Sequence, residues 1–211
     1  MNIFSTGKKL TGLFASVFFF TSITGSAQNT QSEIHGSFQF DGAYYLVDST
    51  IGANAVAEKF LSNAYGDLVF THGNFKAGLR YEAYQNALLG YDTRYKGNGI
   101  ANRYAQYTVN ELEVTLGNFY EQFGSGLILR AYWEPTLGLD NSLDGIRVKY
   151  NPIKGIYIKG LVGRQRSFFE YGPGTVRGLD GEIAVNELFS KLTESKTHIN
   201  QIGRASCRER V

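Results

Sequence analysis

The chain has 211 residues, among them 14 Tyr, 15 Phe and 25 Gly, and its formal net charge is +2. A charge this small does not indicate a nucleic-acid partner, and a single cysteine, Cys207, excludes an internal disulfide. The sequence has no cysteine cluster, no histidine pair at ligand spacing, no EF-hand loop and no phosphate-binding loop. We therefore expect no metal and no cofactor.

Residues 1–27 have the three parts of a secretory signal peptide. Lys8 and Lys9 form a short basic region, residues 10–20 are mostly apolar, and small residues precede a cleavage site after Ala27. The apolar run is shorter than the roughly 20 residues that a membrane-spanning helix needs. We predict that the chain is exported and that the mature protein begins at Gln28.

After Gln28 the recurring pattern is a period-two alternation of apolar and polar residues, which is typical of β-strands. The segments that show it are 34–44, 64–71, 75–83, 104–109, 112–116, 146–150, 156–164 and 179–186. Short turns are predicted at 72–74, 110–111 and 151–155. Longer loops are predicted at 46–62, 86–103 and 165–175. Short turns on one rim and long loops on the other are typical of outer-membrane β-barrels.

The polar face of these strands carries charges, and aromatic residues are frequent near the strand ends, as in interfacial girdles. The candidate lumen-facing residues are Lys76, Arg80, Glu82, Arg147, Lys149 and Lys159. A mildly cationic wall would favour anionic solutes, whereas ion pairing across the wall would fill a closed lumen. The predicted fold is all-β: an antiparallel transmembrane β-barrel, incomplete, with residues 28–200 as its N-terminal portion.

Residues 117–143 interrupt the alternation and are rich in glycine, aromatic and charged residues. One interpretation is a loop folded inward that constricts the lumen, with Arg130 and Glu134 meeting polar groups of the wall. The other is a long external loop. The candidate constriction residues are Phe119, Tyr120, Phe123, Arg130, Trp133 and Glu134.

Residues 201–211 follow no pattern of the preceding chain. Back-translated, residues 202–211 resemble a common short-read sequencing adapter, so we predict that this tail is not native. The alternative is a basic tail that binds lipid or nucleic acid. Without Lys8, Lys9 and the four charged residues after Asn200, the net charge changes from +2 to −2.

Two stretches of the sequence resemble a known family. The run GNFYEQFGSGLILRAYWEPTLGLDNSLDGIRVKY and the later VRGLDGEIAVNEL are similar to an outer-membrane β-barrel family of Bacteroidetes-type bacteria that has no established activity. The resemblance covers most of the chain from residue 28 to about residue 196. It implies a barrel in the outer membrane and, because family members are longer, a missing C-terminal half. It implies no catalytic residue and no substrate.

Three functions are compatible with these patterns. The leading hypothesis is a porin-like barrel of pore, transport or surface-scaffold type without enzymatic activity, surrounded by lipid and inserted by the export and barrel-assembly machinery of a Gram-negative cell. The second is a secreted soluble β-protein that binds polysaccharide or a protein partner through aromatic loops. The third is a barrel hydrolase with His35 as its base, because Ser37 and Asp41 follow on the same face.

Overall fold

A computed structural model describes residues 31–48, 50–52, 55–189 and 200–210. The predicted signal peptide and its cleavage site lie outside these residues. Within the described residues, nine strands form one antiparallel sheet in which each strand pairs with the preceding and following strands of the nine. They are β1 (Ser32–Tyr44), β2 (Phe60–His72), β3 (Phe75–Gln85), β4 (Gly97–Val109), β5 (Leu112–Phe119), β8 (Leu143–Tyr150), β9 (Ile156–Ser167), β10 (Glu170–Ala184) and β11 (Asn200–Arg210).

Between β5 and β8 the chain leaves this sheet. It forms a small hairpin of β6 (Trp133–Glu134) and β7 (Leu139–Asp140), joined by a single 3-10 turn at Pro135–Leu137. The expected all-β, antiparallel class is confirmed. Within the described residues β1 pairs only with β2 and β11 only with β10, so the sheet is open and does not close into a barrel.

The three predicted short turns are confirmed. Gly73 and Asn110 adopt left-handed backbone conformations, with φ of 55° and 48°, at the turns that follow β2 and β4. Both residue types tolerate this region, glycine because it lacks a Cβ and asparagine because its short amide hydrogen-bonds locally. Gly155, with φ of 88°, closes the turn before β9.

The prediction of a long loop at 165–175 is wrong. Strand β9 continues to Ser167 and β10 begins at Glu170, so only Phe168 and Phe169 connect them. The irregularity in this region is a shift in the β9–β10 register between Tyr171 and Thr175. Phe168 has a φ of 60°, which is rare for a bulky residue. Its ring packs edge-on against Tyr95, 4.7 Å between centroids, and this contact holds the turn.

The two ends of the predicted strand pattern also differ from expectation. The alternation predicts that residues 185 and 186 continue the last strand, but they belong to a short helix, α1 (Val185–Leu188). Residues 201–210, which lie in the predicted non-native tail, pair with β10 as part of strand β11. Strand pairing uses backbone groups that every sequence offers at an open edge. The non-native origin of the tail therefore stays a prediction.

The two faces of the sheet differ in what they expose. One face presents large apolar side chains to its surroundings: Leu68, Leu79, Leu116, Ile146, Val162 and Leu179. The opposite face buries polar and charged side chains: Asn63, Arg80, Glu82, Thr115, Arg147 and Asp180. The buried part of the molecule thus lies on the charged face, beneath the chain that connects β5 to β8.

Candidate functional site

Residues 120–142, which we call the covering segment, lie against the charged face of the sheet. The segment folds back on itself, with the Ala131 amide donating to the Glu121 carbonyl at 2.9 Å and the Phe123 amide to the Leu129 carbonyl at 3.0 Å. The segment thus lies on the face of the sheet that carries the candidate lumen-facing residues. Whether the segment narrows a lumen stays a prediction.

An apolar contact, which we call the Phe123 anchor, fixes the covering segment to the sheet. Phe123 is only 1% exposed and packs in a cluster with Phe119, Leu143, Leu161 and Val176. Its ring occupies the space above Gly178, where a Cβ atom would come within 2.8 Å of the ring. The missing side chain of Gly178 on β10 therefore makes room for Phe123.

Beside this anchor, four buried charges form what we call the arginine-pair network: Arg80, Glu82, Asp140 and Arg166. Glu82 accepts from Arg80 Nε and from Arg166 Nη2, both at 2.8 Å. Both guanidinium groups also bind the carboxylate of Asp140, which belongs to the covering segment. Two positive and two negative charges balance, as buried charges require.

Tyr120 joins the covering segment to this network. Its hydroxyl accepts from Arg80 Nη2 and donates to Asp140 Oδ2, each at 3.0 Å. Burial raises the pKa of this hydroxyl above its ordinary value, and the neighbouring Asp140 carboxylate raises it further. The hydroxyl therefore stays protonated and keeps its role as a donor to Asp140.

A second set of charges, which we call the Glu121 network, lies further along the same face. The Glu121 carboxylate contacts Lys159 at 3.2 Å, Arg147 at 3.3 Å and Lys149 at 3.6 Å. Arg147 also reaches Glu113 at 2.9 Å. Burial raises the pKa of Glu121, but the surrounding cations outweigh burial and leave the pKa lowered. The covering segment is thus tied to β8 and β9 by charge.

Aromatic rings close the end of the sheet where the longer connections lie. Tyr84 lies 4.9 Å from Tyr95, and Tyr65 lies 6.0 Å from Trp133, measured between ring centroids. Trp133 also stacks under the Arg80 guanidinium at 3.8 Å. The rings therefore join the 86–96 connection and the covering segment to the sheet.

A family model matches residues 8–206 of the chain. The chain belongs to DUF6029, a family of unknown function. No curated protein matches the chain. Because no activity is known for the family, membership in DUF6029 assigns no function to this chain.

Five of the six candidate lumen-facing residues take part in the two networks. Arg80 and Glu82 belong to the arginine-pair network, and Arg147, Lys149 and Lys159 belong to the Glu121 network. Lys76, the sixth, is exposed near the start of β3. The cations of these two networks thus face carboxylates, which favours ion pairing over a cationic wall.

The candidate constriction residues divide into two groups. Phe119, Tyr120, Phe123 and Trp133 contact the sheet or its networks as described above. Arg130 and Glu134, expected to meet polar wall groups, instead interact locally. The Arg130 guanidinium lies 4.4 Å from the Tyr132 ring centroid, and Glu134 caps the 3-10 turn by accepting from Thr136 Oγ1 at 2.6 Å.

Sequence reasoning missed Glu121, Asp140 and Arg166 as site residues. Glu121 and Asp140 lie within the stretch that broke the alternation, so their charge was visible but their partners were not. Arg166 lay in the region wrongly predicted as a loop, where no face could be assigned to it.

The residues proposed for hydrolysis are not assembled around His35. Its Nε2 lies 3.3 Å from Glu33, and Asp41 accepts from Gln39 at 2.8 Å. Among the described residues no group of three or more His, Cys, Asp or Glu side chains could hold a metal ion. In the same part of the chain no helix is long and apolar enough to cross a membrane.

Proposed function

We propose that the chain forms part of the wall of an outer-membrane β-barrel of pore, transport or surface-scaffold type. The observation that supports this is the inverted sidedness of the sheet. On the strands, Leu116 and Leu179 are 50% and 58% exposed, whereas the carboxylate-bearing Glu82 is 0% exposed. Water favours the opposite arrangement, since apolar burial is the dominant driving force of folding.

A lipid surrounding accounts for this inversion. Apolar side chains on the outer face of a membrane barrel meet acyl chains, and polar side chains face the interior. Strands β1, β2 and β4 have 13 residues each, longer than the roughly 9–11 residues that a strand needs to cross the hydrocarbon layer. Backbone groups in lipid must all be paired, so we propose that further strands close the open edges.

The position of the covering segment bears on whether solutes can pass through this barrel. Two charge networks and the Phe123 anchor hold the segment against the inner face. We propose that it obstructs the lumen in this state, so that passage of a solute requires its displacement. A barrel whose segment never moves would act as a surface scaffold.

The decisive experiment introduces one charge on each face of the sheet. Leu116→Arg places a charge on the proposed lipid face of β5, where arginine near the bilayer midplane costs about 2–4 kcal/mol. Thr108→Arg places the same charge on the other face of β4, opposite Glu113 in the strand register. We expect only Leu116→Arg to reduce the folded fraction in lipid vesicles, measured by resistance to proteolysis.

A protein that folds in water predicts a different result. Leu116 is half exposed, so a charge there would be harmless or would improve solubility. If Leu116→Arg folds as well as Thr108→Arg and the unmodified chain, the membrane-wall proposal is wrong.

The second candidate is a secreted soluble protein that binds polysaccharide or a protein partner. The partly buried rings at the end of the sheet with the longer connections favour it, because aromatic rings are common in binding surfaces. They are Tyr91, Trp133, Phe168 and Phe169. Cell fractionation separates the two candidates. A full-length protein in the outer-membrane fraction that migrates faster on gels before heating supports the barrel, whereas a soluble periplasmic protein without this shift supports the second candidate.

A further inference from the structure

A cavity of about 340 Å³ lies on the charged face between β2, β3, β4, β5 and β8, bordered by Tyr120 of the covering segment. This volume is at the lower end of the roughly 300–1,000 Å³ typical of small-molecule pockets. The side chains relevant to its chemistry are Asp67, Asn102, Tyr104, Gln106, Thr115 and Arg147. The cavity is therefore lined by hydrogen-bonding groups together with aromatic ring surface.

Arg147 lines this cavity, but its side chain offers a ligand no accessible free donor. The residue is 8% exposed, and its Nη atoms bind Glu113, Glu121, Thr115 and the Tyr120 carbonyl. Its Nε is fully buried and has no hydrogen-bond partner among the described residues. A water-sized group cannot reach this buried Nε. The accessible donor of the lining is the Gln106 side-chain amide, whose bond to Thr108 Oγ1 is long, at 3.5 Å.

Asp67 offers the complementary group. Its carboxylate lines the same cavity and is half buried, yet it makes no hydrogen bond or ion pair within the described part of the chain. One cavity thus presents an unpaired carboxylate and a weakly bonded amide donor, and a ligand suited to both must donate and accept hydrogen bonds.

The charges around the cavity select among such ligands. Asp67 disfavours an anion, and the guanidinium groups of Arg80 and Arg147 disfavour a cation. A zwitterion would bring its carboxylate to Arg147, which two carboxylates already flank at 2.9 and 3.3 Å. A hydroxyl group carries no charge and both donates and accepts.

We infer that this cavity binds a small neutral polyhydroxylated molecule of the monosaccharide or cyclitol class. One hydroxyl donates to Asp67 and another accepts from the Gln106 side-chain amide, while the apolar face of the ring packs on Tyr104. The polar groups proposed to bind this ligand all lie on the charged face, so binding does not depend on whether the opposite face meets lipid or water.

The test measures binding of D-glucose and myo-inositol to the full-length protein by isothermal titration calorimetry, in detergent or in buffer according to where the protein is found. We expect Asp67→Ala to weaken binding of the probe by tenfold or more, because a hydrogen bond to a charged group is lost. Glu111→Ala, which removes an exposed carboxylate from the turn after β4, serves as the matched control and is expected to bind like the unmodified protein.

Gln106→Leu, which replaces a polar lining group with an apolar one, gives a second variant should Asp67→Ala fail to fold, and it is also expected to weaken binding. The inference is overturned if neither probe binds, which would leave water as the occupant. It is also overturned if Asp67→Ala and Gln106→Leu bind normally, or if glycine or inorganic phosphate binds in place of the polyols. Fractionation tests the membrane proposal separately, so the two failures are distinguishable.

Discussion

At the scale of single residues, the absence of a side chain matters as much as its presence. Gly178 on β10 leaves the space that the Phe123 ring fills, and Gly78 on β3 leaves a similar space beneath Tyr104, where a Cβ would lie 2.3 Å from the ring. In both cases an aromatic residue on another segment uses the room above a strand glycine. The contact of Phe123 with Gly178 sets how closely the covering segment approaches the sheet.

Gly178→Val tests this dependence. We expect it to destabilise the protein by about 1–3 kcal/mol, because an overpacked contact forces Phe123 from its site. The measurement is the urea midpoint of unfolding together with proteolysis within residues 120–142. Gly160→Val on β9 is the control, since a Cβ there would meet nothing within 4 Å. Equal stability of the two variants would show that Phe123 does not depend on Gly178.

At the scale of elements, the covering segment behaves as a separate unit that is attached to the sheet by charge. Its carboxylates, Glu121 and Asp140, each contact two or more cations of the sheet. Removing one partner of a buried ion pair is costly because the other charge stays buried without compensation. Attachment of the segment should therefore depend on pH.

Glu121 determines the direction of that dependence. Its pKa is lowered in the folded protein, so its stabilisation is complete above the ordinary value near 4.3 and is lost as the pH falls through the lower folded value. Trp133 is the single tryptophan and lies in the covering segment, so its emission reports detachment. We expect the emission to shift below about pH 4, and to shift less in Glu121→Gln. An unchanged acid transition in Glu121→Gln would contradict this role.

The sequence predicted most elements because strands and turns are locally encoded. Alternation over 34–44 and 75–83 identified β1 and β3, and Asn110 marked its turn because asparagine accepts a left-handed backbone. At Phe168, by contrast, no residue type typical of a left-handed backbone indicates the turn. Its conformation depends on Tyr95, 73 positions away in the chain, so no local pattern could have indicated it.

At the scale of the whole molecule, the two edge strands of the open sheet, β1 and β11, differ in their sequence patterns. Edge strand β1 shows clear alternation, whereas most of β11, residues 202–210, lies in the stretch that we predict to be derived from a sequencing adapter. Backbone pairing with β10 is compatible with either origin. The candidate site is independent of this question, since the networks and the proposed binding cavity use residues before position 170.

Sequencing of the native locus tests the origin of the tail. We expect the natural reading frame to depart from the present sequence after about residue 200. A natural frame that continues through Cys207 would show that the tail belongs to the protein.

The sequence by itself determined the strand pattern, the short turns and the division of the strands into an apolar and a charged face, because these depend on residues close together in the chain. Only the tertiary structure decided that the 120–142 stretch covers the charged face and that Arg80, Glu82, Asp140 and Arg166 meet there. Their partners lie up to 84 positions apart. Compensation of buried charge is a property of three-dimensional neighbours, which the order of residues does not specify.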